Sequence, residues 1–269
     1  FLRAVLENGG DPNKLEKTGE STVCRAVSSD SPEHLRLLLE KGGDPNKGDE
    51  DGNALLYGAA LMGKTEMVRI LLEFGADPNK GKDGTMSAIM GAAINGHAEI
   101  IRLLVKGGAD PDITPQFMNG ITPLHIAVIL NRVQAVEALL EGNANTDVSD
   151  MGGETPLHKA AAAANLNCVS LLCEHGADVS VSDISGHTSY KFAKVGMSPG
   201  CMAVLIQHGA VDDGIEIDLN GEFATKVREG LAEQVKSFAS MMKEEMEDIA
   251  YDFMVEALKT AAPMCCVVS

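Results

Sequence analysis

Gly42-Gly43-Asp44-Pro45-Asn46 returns as Gly75-Ala76-Asp77-Pro78-Asn79 and again as Gly108-Ala109-Asp110-Pro111-Asp112, each time 33 residues on. Related copies start at Gly9, Asn143, Gly176 and Gly209, and the step is 33 throughout except from 108 to 143, where it is 35. A period of that length marks a stack of short supersecondary units, none able to bury its apolar face without a neighbour. Such stacks present long surfaces, so binding is the first function to consider.

The unit reads best around Gly120. Thr122 can accept a hydrogen bond from the first free amides of a helix, and Pro123 falls at the first helical position, where its missing N–H costs nothing. Thr155-Pro156-Leu157-His158 repeats Thr122-Pro123-Leu124-His125 after 33 residues. Ser21, Ala54, Ser87 and Thr188 hold the same frame, Ala54 without a capping group. A second helix follows, with apolar residues at helical spacing in Val68, Ile70, Leu71, Leu72 and in Ile100, Ile101, Leu103, Leu104. It stops at glycine, which tolerates the left-handed conformation after a helix, and Asp-Pro turns the chain back. Each unit is thus helix, tight turn, helix and turned-out loop.

These residues resemble the ankyrin-repeat family, through the two Thr-Pro-Leu-His heads, the Gly96-His97 turn and the recurring loop segment. The resemblance covers residues 1 to about 211: a leading half unit with its loop (1–20) and six units (21–211) headed at 21, 54, 87, 122, 155 and 188. It implies an all-α fold of antiparallel helix pairs stacked in a solenoid, with short β-hairpin-like finger loops. The last unit departs from the pattern, with Thr188-Ser189-Tyr190-Lys191 at its head, as suits a terminal cap. The opening half unit and the absent Met make the chain a fragment by this reading.

Bulk properties agree. The chain of 269 residues is 45% hydrophobic but only 4% aromatic, which fits thin Ala, Leu, Ile and Val layers between helices better than one large core. A formal charge of −17 argues against a nucleic-acid partner and against adsorption to anionic lipid, both of which need clustered Lys and Arg. Cys24, Cys168, Cys173, Cys201, Cys265 and Cys266 include no C-x-x-C pair, so zinc and thioredoxin-like chemistry gain no support. The first four lie in apolar helical stretches, and a reducing intracellular setting fits.

Two tempting sites fail on context. Residues 58–65, from Gly58 to Gly63-Lys64-Thr65, satisfy the phosphate-loop pattern G-x-x-x-x-G-K-[ST]. That chemistry needs a strand and a flexible loop, whereas residues 54–62 belong to a first helix. His125 and His158 recur at one repeat position, where the resemblance implies a hydrogen-bonding role between adjacent turns. His34, His97, His175, His187 and His208 show no metal-ligand spacing. No catalytic residue, cofactor or small-molecule substrate is expected.

In ankyrin repeats the finger loops and the exposed ends of first helices form a concave contact face. By register those ends are Ser28-Ser29, Leu61-Met62, Ile94-Asn95, Ile129-Leu130 and Ala162-Ala163. The middle three carry large apolar residues, and the one longer loop brings Phe117 and Met118 beside them. Leu61, Met62, Ile94, Ile129, Leu130, Phe117 and Met118 are therefore the candidate partner-binding residues. The alternative is that they lean into the stack and widen its core; both readings stand at this point.

After Val211 the period ends. Residues 212–269 hold 13 acidic against 5 basic residues, and Leu231, Val235, Phe238, Met242, Met246, Ile249, Phe253 and Ala257 follow helical spacing. This predicts an acidic amphipathic tail (212–264), which either docks on the final unit or recruits a separate helix. The ending Cys266-Val267-Val268-Ser269 is a C-a-a-X box whose serine resembles farnesyl-transferase substrates. One isoprenoid anchors weakly, and no basic run is present, so Cys265 is the natural second, palmitoylated site. The expected protein is a non-catalytic adaptor, cytoplasmic and peripheral to a membrane through that lipid, with another protein on its concave face. The alternatives are a targeting region of an enzyme whose catalytic domain lies upstream of Phe1, and a secreted effector acting inside a eukaryotic host.

Overall fold

The computed structural model describes residues 6–14, 21–47, 54–80 and 86–212, together with Thr225 and Glu229. Among them run twelve α-helices in six antiparallel pairs: α1 (Thr22–Ser28) with α2 (Pro32–Glu40), α3 (Leu55–Leu61) with α4 (Thr65–Glu73), and α5 (Ala88–Asn95) with α6 (Ala98–Lys106). They continue as α7 (Pro123–Ile129) with α8 (Val133–Glu141), α9 (Pro156–Ala162) with α10 (Leu166–Glu174), and α11 (Ser189–Val195) with α12 (Pro199–Gln207). The described residues form no strand; an isolated bridge joins Ser182 to Thr188. Each first helix packs on the next first helix and each second helix on the next second helix, so the pairs make two parallel layers.

The sequence dictates this locally. Helices of seven to nine residues are too short to persist alone, so they survive by burying one face. The main core lies between the layers, where Leu35, Leu71, Ile100, Leu104, Leu139, Leu172 and Leu205 are buried. Burying each such side chain stabilises by roughly 1.5–3 kcal/mol. Ser21 caps α1, its Oγ accepting from Cys24 N–H at 3.0 Å. Ala54 caps nothing, and Ser87 and Thr188 occupy the cap position without a side-chain cap bond.

The recurring loop segment has a second task beyond turning the chain. Asp44 and Asp77 each accept, through Oδ1, the N–H two residues on, at 2.8 and 2.9 Å. The following Asn reaches the next loop: Asn46 Nδ2 donates to Gly75 O at 3.2 Å while its Oδ1 accepts from Asp77 N–H at 2.8 Å. Asn13 and Asn79 do the same one unit earlier and one later. Asp112 and Asp147 keep only the accepting half, from Asn145 and Asp178. A two-ended amide ladder thus gives way to a one-ended carboxylate ladder along the stack.

Candidate partner-binding face

The turn between paired helices carries a polar residue that reaches back to the preceding unit. Lys64 Nζ donates to Val27 O and Ser28 O, both at 2.8 Å, the last two carbonyls of α1. His97 Nε2 lies 3.3 Å from Leu61 O, Asn95 Nδ2 donates to that carbonyl at 2.7 Å, and Arg132 Nε donates to Ile94 O at 2.9 Å. Helix C-termini leave such acceptors unsatisfied and attract positive charge. The lysine of the phosphate-loop pattern is therefore a helix cap, and Gly58 lies inside α3.

In the last three units the heads of the first helices build a different junction. Thr122 N–H donates to His125 Nδ1 at 3.2 Å, and His125 N–H donates to Thr122 Oγ1 at 3.3 Å. Nδ1 must then be the acceptor, so Nε2 carries the proton and donates to Glu154 O of the next finger at 3.1 Å. His158 repeats this with Thr155 and with His187 O at 3.1 Å, and meets the Phe192 ring edge-on at 5.2 Å. Burial pushes His125 down to about 4 and lowers His158 as well. Both imidazoles are neutral structural parts.

The fingers themselves are folded around a carboxylate. Asp150 Oδ1 accepts from Gly152 N–H at 2.9 Å and Glu154 N–H at 3.0 Å, while Oδ2 pairs with Lys159 Nζ at 2.7 Å. Lys159 is buried and also pairs with Glu154. Asp183 folds the next finger in the same way, accepting from Ser185 N–H at 2.9 Å and His187 N–H at 2.7 Å. Neighbouring fingers are joined by Met151 N–H to Asn119 O at 2.9 Å and Ile184 N–H to Gly152 O at 3.0 Å. They approach so closely that a Cβ on Gly153, whose φ is +74°, would stand 2.8 Å from Ile184 N.

Of the seven candidate residues, five lie inside. Leu61, Ile94, Met118, Ile129 and Leu130 form a second apolar cluster with Tyr57, Met86, Met90, Ile121 and Ile126 along the first-helix layer. Met62 and Phe117 stand outside at 49% and 46% exposure. The longer loop contributes Met118 and Ile121 to this cluster. The pattern did not single out Met151 and Ile184, exposed at 74% and 80%. Their signal was available: each follows the finger aspartate, in Asp150-Met151 and Asp183-Ile184. Phe117, Met151 and Ile184 thus stand on three successive, hydrogen-bonded fingers.

Burial pushes the Cys168 thiol up to about 12 and Cys173 to about 11 and raises Cys201, which removes the thiolate. Among the described residues no three His, Cys, Asp or Glu gather to hold a metal, and no helix is long and apolar enough to cross a membrane. The tail, Cys265 and Cys266 lie outside the described residues.

Comparison with known proteins agrees with this geometry. The family model described as ankyrin repeats (3 copies) matches residues 1–82 and 84–183. Among solved structures the chain is similar to the ankyrin repeat domain of Bcl-3, described as a unique member of the IkappaB protein family. That likeness has a TM-score of 0.66 at 25% identity and covers 76% of this chain and 90% of that one. No curated protein matches the chain. As many as 527 solved chains match it, so the architecture alone says little about a target. Ankyrin repeats are protein–protein interaction scaffolds and in general non-catalytic. With its family model matched over well beyond half its length, this chain belongs to the ankyrin-repeat family.

Proposed function

We propose that this protein is a non-catalytic adaptor that seizes another protein along its fingers and first-helix ends. The observation that carries the reading is the row of Phe117, Met151 and Ile184, which raises large apolar side chains into solvent from a rigid base. Met62 adds a contact further along. Leu61, Ile94, Met118, Ile129 and Leu130 back that face from within, so their part is to hold its shape. Apolar side chains on a preorganised, hydrogen-bonded support are the usual anchors of an interface, because little ordering remains to be done on binding. The triple variant Phe117→Ser, Met151→Ser, Ile184→Ser tests it against a partner captured by proximity labelling in cells. Loss of binding by tenfold or more with an unchanged melting temperature supports the reading; full binding refutes it.

The same proposal places the adaptor on the cytosolic side of a membrane, through a thioether on Cys266 and an acyl chain on Cys265. Its support is the terminal C-a-a-X box beside a second cysteine. Mass spectrometry of the terminal peptide from eukaryotic cells decides it: an unmodified Cys266 ends the tether.

A further inference from the structure

We infer, resting on the adaptor reading, that the partner segment seized by the fingers carries Lys or Arg beside its large apolar residues. The charge balance around the finger row is one-sided. Between Lys106 and Lys191 stand ten Asp and Glu against two basic residues, Arg132 and Lys159. Both cations are engaged within the molecule. Arg132 Nε donates to Ile94 O at 2.9 Å, and Lys159, 3% exposed, is paired with Asp150 and Glu154. Of the carboxylates, Asp110, Glu137, Glu174 and Asp178 stand exposed.

The same imbalance recurs at each finger. Asp150 immediately precedes Met151, and Asp183 immediately precedes Ile184. In the first finger Asp150 and Glu154 share the single ammonium of Lys159, so one negative charge is left over. In the second, Asp183 meets the ring of His187 at 3.3 Å, and that ring carries no formal charge at pH 7. The Asp150 and Asp183 side chains are each only 8% exposed, which leaves their fields weakly screened by salt. Beside the tips, the exposed Asn119, Ser149, Ser182 and Ser185 are uncharged and answer none of this.

Each of these two tips therefore offers an apolar contact with an uncompensated negative charge one residue behind it. A segment that sets cations beside its apolar anchors gains from both, and the wider acidic surface steers it inward. An acidic segment of equal apolar content meets like charge at every finger and is rejected. Nucleic acid is turned away by the same field.

Three synthetic peptides of about twelve residues test this on the full chain. One alternates Leu and Lys with Ser spacers, one has Glu in place of Lys, and one has Ser in place of Leu. By fluorescence anisotropy at about 0.05 M salt, the Leu–Lys peptide should bind at least about tenfold more tightly than either other. Its advantage over the Leu–Glu peptide should shrink about threefold at about 0.2 M salt. Glu154→Gln with Asp183→Asn should cut that advantage at least about threefold at an unchanged melting temperature. Where the double variant does not fold, Glu154→Gln alone decides, because Asp150 still holds Lys159. The inference is overturned by equal affinity for the Leu–Lys and Leu–Glu peptides, by an advantage that neither neutral variant reduces, or by no Leu–Lys binding at about 1 mM. If Phe117→Ser, Met151→Ser, Ile184→Ser still weakens both Leu peptides, the adaptor reading survives that failure. An equal hold on the Ser–Lys peptide sinks the adaptor reading as well, since the apolar tips would then contribute nothing.

Discussion

The middle of the stack and its C-terminal half are joined by different physics. From α3 to α7 the first helices are sealed by a second apolar cluster built on Tyr57, Met90, Ile94 and Ile129. From α7 to α11 that layer shrinks to alanine at Ala162 and Ala163, and neighbours are held by buried histidines, Lys159 and finger carboxylates. Both junctions exclude water, yet they fail in different ways. An apolar seam loses stability in proportion to the volume removed. A buried polar junction fails abruptly when one partner is lost, because the remaining charge or donor stays desolvated.

The sharpest way to break the contrast is Asp150→Ala. It strips Lys159 of one carboxylate and leaves the Gly152 and Glu154 amides unsatisfied. A loss of about 3–5 kcal/mol is expected in denaturant unfolding, with exchange rising first in residues 150–160. Next is Ile94→Ala, which empties part of the apolar seam and should cost about 2–5 kcal/mol. Here the loss should be the same at pH 7 and pH 5, since no side chain of the cluster titrates between those values.

Acid weighs most on the C-terminal region, where two imidazoles are lowered by burial against His97 alone in the middle. His125 has its folded value depressed to about 4 from 6.5, so the unfolded chain binds the extra proton first. Its contribution is complete above pH 6.5 and is lost as pH falls toward 4, reaching about 2 kcal/mol lost by pH 5. His158, also lowered, shifts in the same sense. Urea titrations from pH 7.5 to 4.5 should show falling stability, and His125→Gln should flatten the slope. A pH-independent protein would refute the neutral-histidine junction. The smallest effect expected is from Lys64→Ala, which uncaps the end of α1 at a cost of about 1 kcal/mol. ATP and GTP should leave the melting temperature of either form unchanged.

The same contrast explains which features could be read in advance. Thr122-Pro123-Leu124-His125 and its copy announce their unit because cap, proline and histidine act within one turn, and local chemistry is visible in a string. The positions of Leu61, Ile94, Ile129 and Leu130 were equally visible, as large residues at helix ends. Their direction was not, since it depends on which residues of neighbouring units and of the longer loop meet them in space. Lys64 illustrates the converse: a pattern match loses its meaning once its ammonium is seen to cap a helix 36 residues away. The Asn13, Asn46 and Asn79 ladder is equally illegible in the string, where Asp-Pro accounts for the turn and nothing gives the amide beside it a task. The exposed tips Met151 and Ile184 were hidden for a related reason. A lone apolar residue in a polar loop carries no periodicity, and it becomes conspicuous only when its neighbours line up in space.

That ladder of side-chain amides has a consequence for how such a protein changes length. Every rung is self-contained: one asparagine reads the backbone of the loop ahead of it and nothing further away. Duplicating or deleting a whole 33-residue module leaves each surviving rung a matching neighbour, whereas removing a single loop residue misaligns one rung irreparably. Growth by complete modules is therefore the permitted route, and the reach of the molecule can be reset without redesigning any contact within it.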